Sequence, residues 1–181
     1  ALRWTRRTKS SELPLTEEIV QAYRLAAGGT TLAAREALAG GFGINLGGGF
    51  HHAHADHAEG FCYLNDIAVA IRTLQHAGEV RRVAVVDCDV HQGNGTATLF
   101  RGDDRVFTFS IHQEYNYPLP KEPGDLDVGL EDGTGDDEYL AELQRALERV
   151  WAHEPALVVY LAGADVFRED QLGGLGLTMT G

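Results

Sequence analysis

Three short apolar runs constrain this chain more than any other feature: Arg82 to Asp87, Val106 to Ile111, and Leu157 to Ala162. Each is continuous, rich in β-branched residues and bounded by turn formers, the signature of strands buried on both faces of a parallel sheet. Helical patterns lie between and around them. From Asp136 to His153, Tyr139, Leu140, Leu143, Leu147, Val150 and Trp151 recur at three-to-four spacing, acids crowd the first turn and Pro155 follows. Asn65 reads as the N-cap of a second helix running to about Ala77, apolar on several sides through Ile67, Val69, Ile71 and Leu74, and stopped by Gly78. Two shorter helices, Thr16 to about Ala27 and Thr30 to about Ala39, start at threonine caps and end at Gly28-Gly29 and Gly40-Gly41. Strands alternating with helices predict an α/β domain with a mainly parallel sheet.

With 181 residues, 44% of them hydrophobic, the chain is long enough for one domain, residues 1–181, with its own core. It opens on Ala1, and Leu177 to Gly181 ends without a closing helix, so both ends are expected to continue in a longer protein. A formal net charge of -12 disfavours direct binding to nucleic acid, which demands a basic surface. The charge is uneven. Arg3, Arg6, Arg7 and Lys9 open the chain, whereas Asp125, Asp127, Glu131, Asp132, Asp136, Asp137 and Glu138 make an acidic stretch expected to be a solvated face. The two cysteines, Cys62 and Cys88, form no Cys-x-x-Cys pair, which argues against a disulfide framework and fits a reducing cytoplasm. No apolar stretch reaches the roughly 18 residues of a membrane span, and no signal-peptide pattern opens the chain.

The chemistry sits where the strands end. Asp87-Cys88-Asp89-Val90-His91-Gln92-Gly93-Asn94-Gly95 follows the first strand, at the carboxyl edge where open α/β sheets place ligands. If the backbone stays extended there, Asp87, Asp89 and His91 point to one side, and Cys88 to the other, into the core. Ala162-Gly163-Ala164-Asp165 brings another carboxylate to a second strand end. One imidazole and two carboxylates leave zinc an open position for water and substrate, the arrangement of a catalytic site. In Gly47-Gly48-Gly49-Phe50-His51-His52, the glycines let a loop present adjacent imidazoles to a cleft, as general base and electrostatic partner. His54, Asp56 and His57 continue that loop, and are read as polar loop residues rather than as a second metal cluster.

Taken together, Gly48-Gly49-Phe50-His51-His52, Gly60-Phe61-Cys62-Tyr63-Leu64-Asn65-Asp66, Asp87 to Gly95 and Ala162-Gly163-Ala164-Asp165 resemble, in order, the zinc-dependent histone deacetylase family. Asn94, Asp136-Asp137-Glu138-Tyr139-Leu140 and Leu172-Gly173-Gly174-Leu175 look most like its class IV and bacterial members. The resemblance implies an arginase-like three-layer α/β fold and hydrolysis of an acyl amide on a lysine or polyamine nitrogen. It implies zinc on Asp89, His91 and Asp165, with His51 held by Asp87, and His52, held by Asn94, as the proton shuttle. Gly60, Phe61 and Tyr117 would line the acyl-lysine tunnel. A structural potassium ion is implied on Asp87, Asp89 and Ser110, with the carbonyls of His91 and Ile111. Where many members have Asp, this chain has Asn94, which predicts a less basic His52. Members also carry a Gly-Gly-Tyr element well downstream of the second zinc carboxylate, beyond Gly181. A protein without that tyrosine would be a silent metal-binding or interaction module instead.

Overall fold

The structure, a computed structural model, describes residues 12–181. The basic opening Arg3, Arg6, Arg7 and Lys9 lies outside the described residues. Four parallel strands form the sheet: β1 (Val83–Asp87), β2 (Val106–Gln113), β3 (Leu126–Leu130) and β4 (Leu157–Leu161), in the order β3-β2-β1-β4. Strand β1 is central, and its register sets Asp87 against Ser110 of β2 on one side and Leu161 of β4 on the other.

The alternation of side chains along β1 divides the core in two. Val83 and Val85 face a cluster with Ile67, Ile71 and Leu74 of helix α2 (Asp66–His76), Phe100 of α3 (Asn94–Phe100) and Ala34 of α1 (Glu17–Gly40). Ala84 and Val86 face the opposite cluster with Phe109, Ile111 and, from α4 (Asp136–Ala152), Tyr139, Ala146 and Val150. Helices therefore cover both faces of the sheet, the three-layer α/β arrangement expected. Cys88 joins the second cluster, as its strand position predicts, and both cysteines are free. No helix among the described residues is long and apolar enough to cross a membrane.

The structure corrects several elements. Helix α1 is one rod of 24 residues, not two helices parted at Gly28-Gly29. Asn45, beyond the helix, packs over Gly29 and donates from Nδ2 to Ala26 O (3.1 Å) and Thr30 Oγ1 (2.7 Å), so the turn is held from outside. Thr16 and Asn65 do act as N-caps, accepting from Ile19 N and Ala68 N. The acidic stretch is not all solvated face. It contains β3, whose edge position lets Asp127 and Leu126 share a strand with buried Leu130. In α4, Leu140 and Trp151 are exposed although they share the apolar spacing.

Candidate active site

The site lies where β1 and β4 end. Beyond Asp87 the backbone does not stay extended: Asp89 N donates to Asp87 Oδ1 (3.1 Å) and His91 N to Asp89 Oδ1 (2.8 Å), so the chain winds through two aspartate-held turns. These turns part Asp87 from the other two residues. Asp89, His91 and Asp165 come together, with one donor atom from each within 4.8 Å of the others. His91 Nδ1 lies 3.0 Å from Asp89 Oδ1 and 3.1 Å from Asp165 Oδ2. Asp165 is fixed by Val90 N, which donates to its Oδ1 at 3.0 Å. Any side chain at Gly163 would collide with the Asp89 backbone, so that glycine is what lets the two strand ends meet.

Asp87 faces the other way, into the protein, with its Oδ2 2.6 Å from His51 Nδ1. His51 Nε2 is 3.0 Å from His52 Nε2, and His52 Nδ1 is 2.7 Å from Asn94 Oδ1. These contacts decide where the protons are. Asn94 Nδ2 donates to Glu59 Oε1 at 3.0 Å, which commits Asn94 Oδ1 to accept from His52 Nδ1–H. His52 Nε2 then carries the lone pair, and the proton between the two rings belongs to His51, whose other N–H goes to Asp87. The pair is thus an imidazolium–carboxylate beside a neutral base. Burial opposes charge on His51, but the Asp87 carboxylate outweighs it and lifts its pKa to about 9. Burial, then the neighbouring His51 charge, pushes His52 down to about 3. Burial and His51, not Asn94, hold His52 down; the Asn94 bond acts in the opposite direction.

Glu59 is the residue that sequence reasoning missed. Its Oε1 accepts from Asn94 and from the Tyr117 hydroxyl (2.7 Å), partners 35 and 58 positions away. It also accounts for Asn94 itself: an aspartate there would set two carboxylate oxygens about 3 Å apart, a like-charge contact that neither ion tolerates. Burial opposes the charge on Glu59, but Tyr117, His57 and Asn94 hold its carboxyl below the usual range.

The backbone around the histidines is equally determined. Asp66, at the start of α2, accepts from the N–H groups of Gly49 and Phe50, and Asn65 Nδ2 reaches the carbonyls of His51 and Ala53. Thr96 N donates to His51 O, and a Cβ at Gly95 would stand 2.5 Å from Ala53 O and 2.7 Å from His51 O. Glu59 and Cys62 exchange backbone hydrogen bonds around Gly60 (φ 51) and Phe61 (φ 61), a two-residue turn of the primed type. A left-handed phenylalanine is costly. Here its carbonyl accepts from the Tyr23 hydroxyl and its ring stays half exposed. A side chain at Gly60 would strike His52 and Tyr117, whose ring stands edge-on to His52 at 5.0 Å.

Of the residues foreseen for potassium, Asp87 and Ser110 pair across the β1–β2 register. Both border a cavity of about 10 Å³ that Gly93, Thr108 and Asp127 also line. Asp89, His91 and Ile111 do not border it, and Ser110 Oγ lies 2.9 Å from His112 Nδ1.

The family model described as the histone deacetylase domain matches residues 2–181. The chain belongs to the histone deacetylase family. It is 48% identical over 170 residues to an uncharacterized protein of Picosynechococcus, covering 93% of this chain and 57% of that one. It is 37% identical to histone deacetylase 2 of Arabidopsis thaliana, covering 91% and 44%. Its fold matches a crystal structure of a histone deacetylase homolog complexed with SAHA, with a TM-score of 0.88 and 32% identity over 97% of this chain and 51% of that one. A homolog from Aquifex aeolicus gives a TM-score of 0.85 at 33% identity, covering 93% and 49%. The chain spans about half the length of these relatives.

Proposed function

We propose that this chain supplies the zinc-binding and proton-transfer part of a deacylase acting on acyl-lysine side chains or on acylated polyamine-like amines. The observation that carries the reading is the neutral His52, fixed as a base by Asn94 and Glu59, beside the half-buried Asp89–His91–Asp165 group. That group fits zinc by its chemistry. Burial opposes charge on His91, yet the two carboxylates raise its pKa to about 9, so the site takes up a proton where a cation is wanted. Zinc held by Asp89, His91 and Asp165 would polarise the amide carbonyl and acidify a water molecule.

The remaining steps belong to the protein. Once the entering water displaces His51 Nε2–H from the lone pair on His52 Nε2, His52 accepts the water's proton there and delivers it to the leaving amine nitrogen. His51, held positive by Asp87, discourages a lasting charge on His52, which makes the borrowed proton easy to return. Phe61 and Tyr117 flank the acyl-lysine stem, with the Gly60 backbone free to approach it. The oxygen donors Asp87 and Ser110, with Asp89 and the carbonyls of His91 and Ile111, suit a structural potassium ion. A cytoplasmic location fits two unpaired cysteines. Zinc-loaded protein should release acetate or longer acids from acetyl- and myristoyl-lysine peptides or acetylated polyamines, lose activity to a chelator and regain it with zinc. Activity unaffected by chelation would sink the proposal.

The role of Asn94 is testable by pH. In Asn94→Asp the new carboxylate meets Glu59, so the informative protein is Asn94→Asp with Glu59→Gln. A charged partner on Nδ1 raises the His52 pKa from about 3. A base with a raised pKa stays protonated to higher pH, so the acidic limb of the kcat/KM profile should move upward. An unmoved limb would remove Asn94 from the proton pathway.

A further inference from the structure

The loop between the paired histidines and α2 carries two further imidazoles, and they are in different states. The Thr98 hydroxyl gives its proton to Gly95 O (2.9 Å), so its oxygen accepts from His54 Nδ1–H at 2.9 Å, and His54 Nε2 accepts from Asn94 Nδ2 at 3.3 Å. His54 is therefore neutral, and burial, with His57 beside it, favours that form. His57 Nδ1 lies 2.7 Å from Asp56 Oδ1 and its Nε2 3.0 Å from Glu59 Oε2. An ionised carboxylate only accepts, so both ring nitrogens carry hydrogen and His57 is an imidazolium. Its ring stacks on His54 at 4.2 Å and 13°, and that neighbour adds no second charge.

Glu59 is where this cation meets the site. Its Oε1 accepts from Asn94 Nδ2 and from the Tyr117 hydroxyl. At Oε2 the hydrogen comes from His57, since His54 Nε2, 3.4 Å from the same oxygen, brings a lone pair. A carboxylate held at both oxygens keeps one orientation, so the His57 contact fixes the oxygen shared by the tunnel wall and by the amide behind His52. The arrangement also reaches water: the His57 side chain is 36% exposed and that of Asp56 76%, against 20% for Glu59.

We infer that His57 is a positioning residue of the proposed deacylase site, a surface cation clamped between Asp56 and Glu59 that fixes the carboxylate shared by Tyr117 and Asn94. Its effect on turnover rests on the reading of His52 as the base. The groups facing His57 are Asp56, Glu59 and His54, with Glu122 beyond His54. Burial opposes the charge on His57, but its bonds to the two carboxylates outweigh it and keep the ring charged above the ordinary value of 6.5. With a raised pKa, the contact is complete below 6.5 and is lost as pH rises through the folded value. The hold on Tyr117 and Asn94 therefore weakens on the alkaline side.

The test joins kinetics to a signal that needs no turnover. His57→Ala should lower kcat/KM for an acetyl-lysine peptide roughly tenfold, the worth of one charge-assisted hydrogen bond, and His57→Lys, which keeps the cation, should recover most of it. Asp56→Asn still accepts from His57 Nδ1–H but carries no charge, so the alkaline step of the wild-type profile should move to lower pH; His57→Lys should abolish that step. By NMR without substrate, the Tyr117 ring and Asn94 side-chain amide signals should shift with the His57 titration. Signals unmoved while His57 titrates, or one profile common to wild type, Asp56→Asn and His57→Lys, would overturn the inference. Signals that follow His57 in a protein that hydrolyses no acyl amide would sustain the positioning and sink the deacylase reading.

Discussion

Replacing His52 with alanine should lower kcat for acyl-lysine hydrolysis by about a hundred- to ten-thousandfold, the usual worth of a positioned general acid–base group. Zinc content should stay at the wild-type level, since His52 is no member of the Asp89–His91–Asp165 group. The size of the effect follows from the proton positions. In the chain from Asp87 through His51 and His52 to Asn94, His52 Nε2 is the one ring nitrogen left with a lone pair, and Asn94, oriented by Glu59, keeps it so. Alanine also removes the acceptor for His51 Nε2–H, leaving a buried donor to find water. The check is single-turnover hydrolysis together with metal analysis of the same preparation. Full activity in His52→Ala would overturn its role, whereas lost zinc would mean that the pair holds metal rather than protons.

How far such positions can be read from sequence depends on the range of the forces that set them. The strands β1, β2 and β4 are legible because burial on both faces writes itself into consecutive residues. Strand β3 is not, because an edge strand such as Leu126–Leu130 needs one buried flank and tolerates Asp127 on the other. The break expected at Gly28-Gly29 does not occur, because Asn45 supports the helix from outside it. At the site, the donor types and their order along the chain are legible, and Asp89, His91 and Asp165 do converge. Asp87 departs from them because aspartates bond their own backbone two residues on, and such turns cost a strand its direction. Glu59 could not have been found: a lone acid in a polar loop gives no sign that it fixes an amide 35 residues away.

Asp165→Ala should weaken zinc by more than the ten- to hundredfold typical of losing an outer support of a metal ligand, and activity should fall with occupancy. The carboxylate has three tasks. Its Oδ2 stands 3.1 Å from His91 Nδ1, its Oδ1 holds Val90 N, and its charge, with that of Asp89, lifts the His91 pKa to about 9. Removing it lets His91 fall back toward 6.5, the ordinary imidazole value. The imidazole then loses its proton at lower pH, which by itself would ease metal binding near neutrality. Ligand loss and proton competition therefore oppose each other, and the loss of a charged donor must outweigh the gain for the assignment to hold. Asp165→Asn separates these contributions from the backbone bond, because an amide oxygen can still accept from Val90 N but carries no charge. Chelator competition across pH should give weak zinc binding in both variants. In both, the affinity should also depend less on pH than in the wild type between about 6.5 and 9, the interval over which wild-type His91 must give up its proton to a metal. Wild-type affinity in Asp165→Asn would place the metal elsewhere, and a wild-type pH dependence in both variants would mean that His91 is not the group displaced.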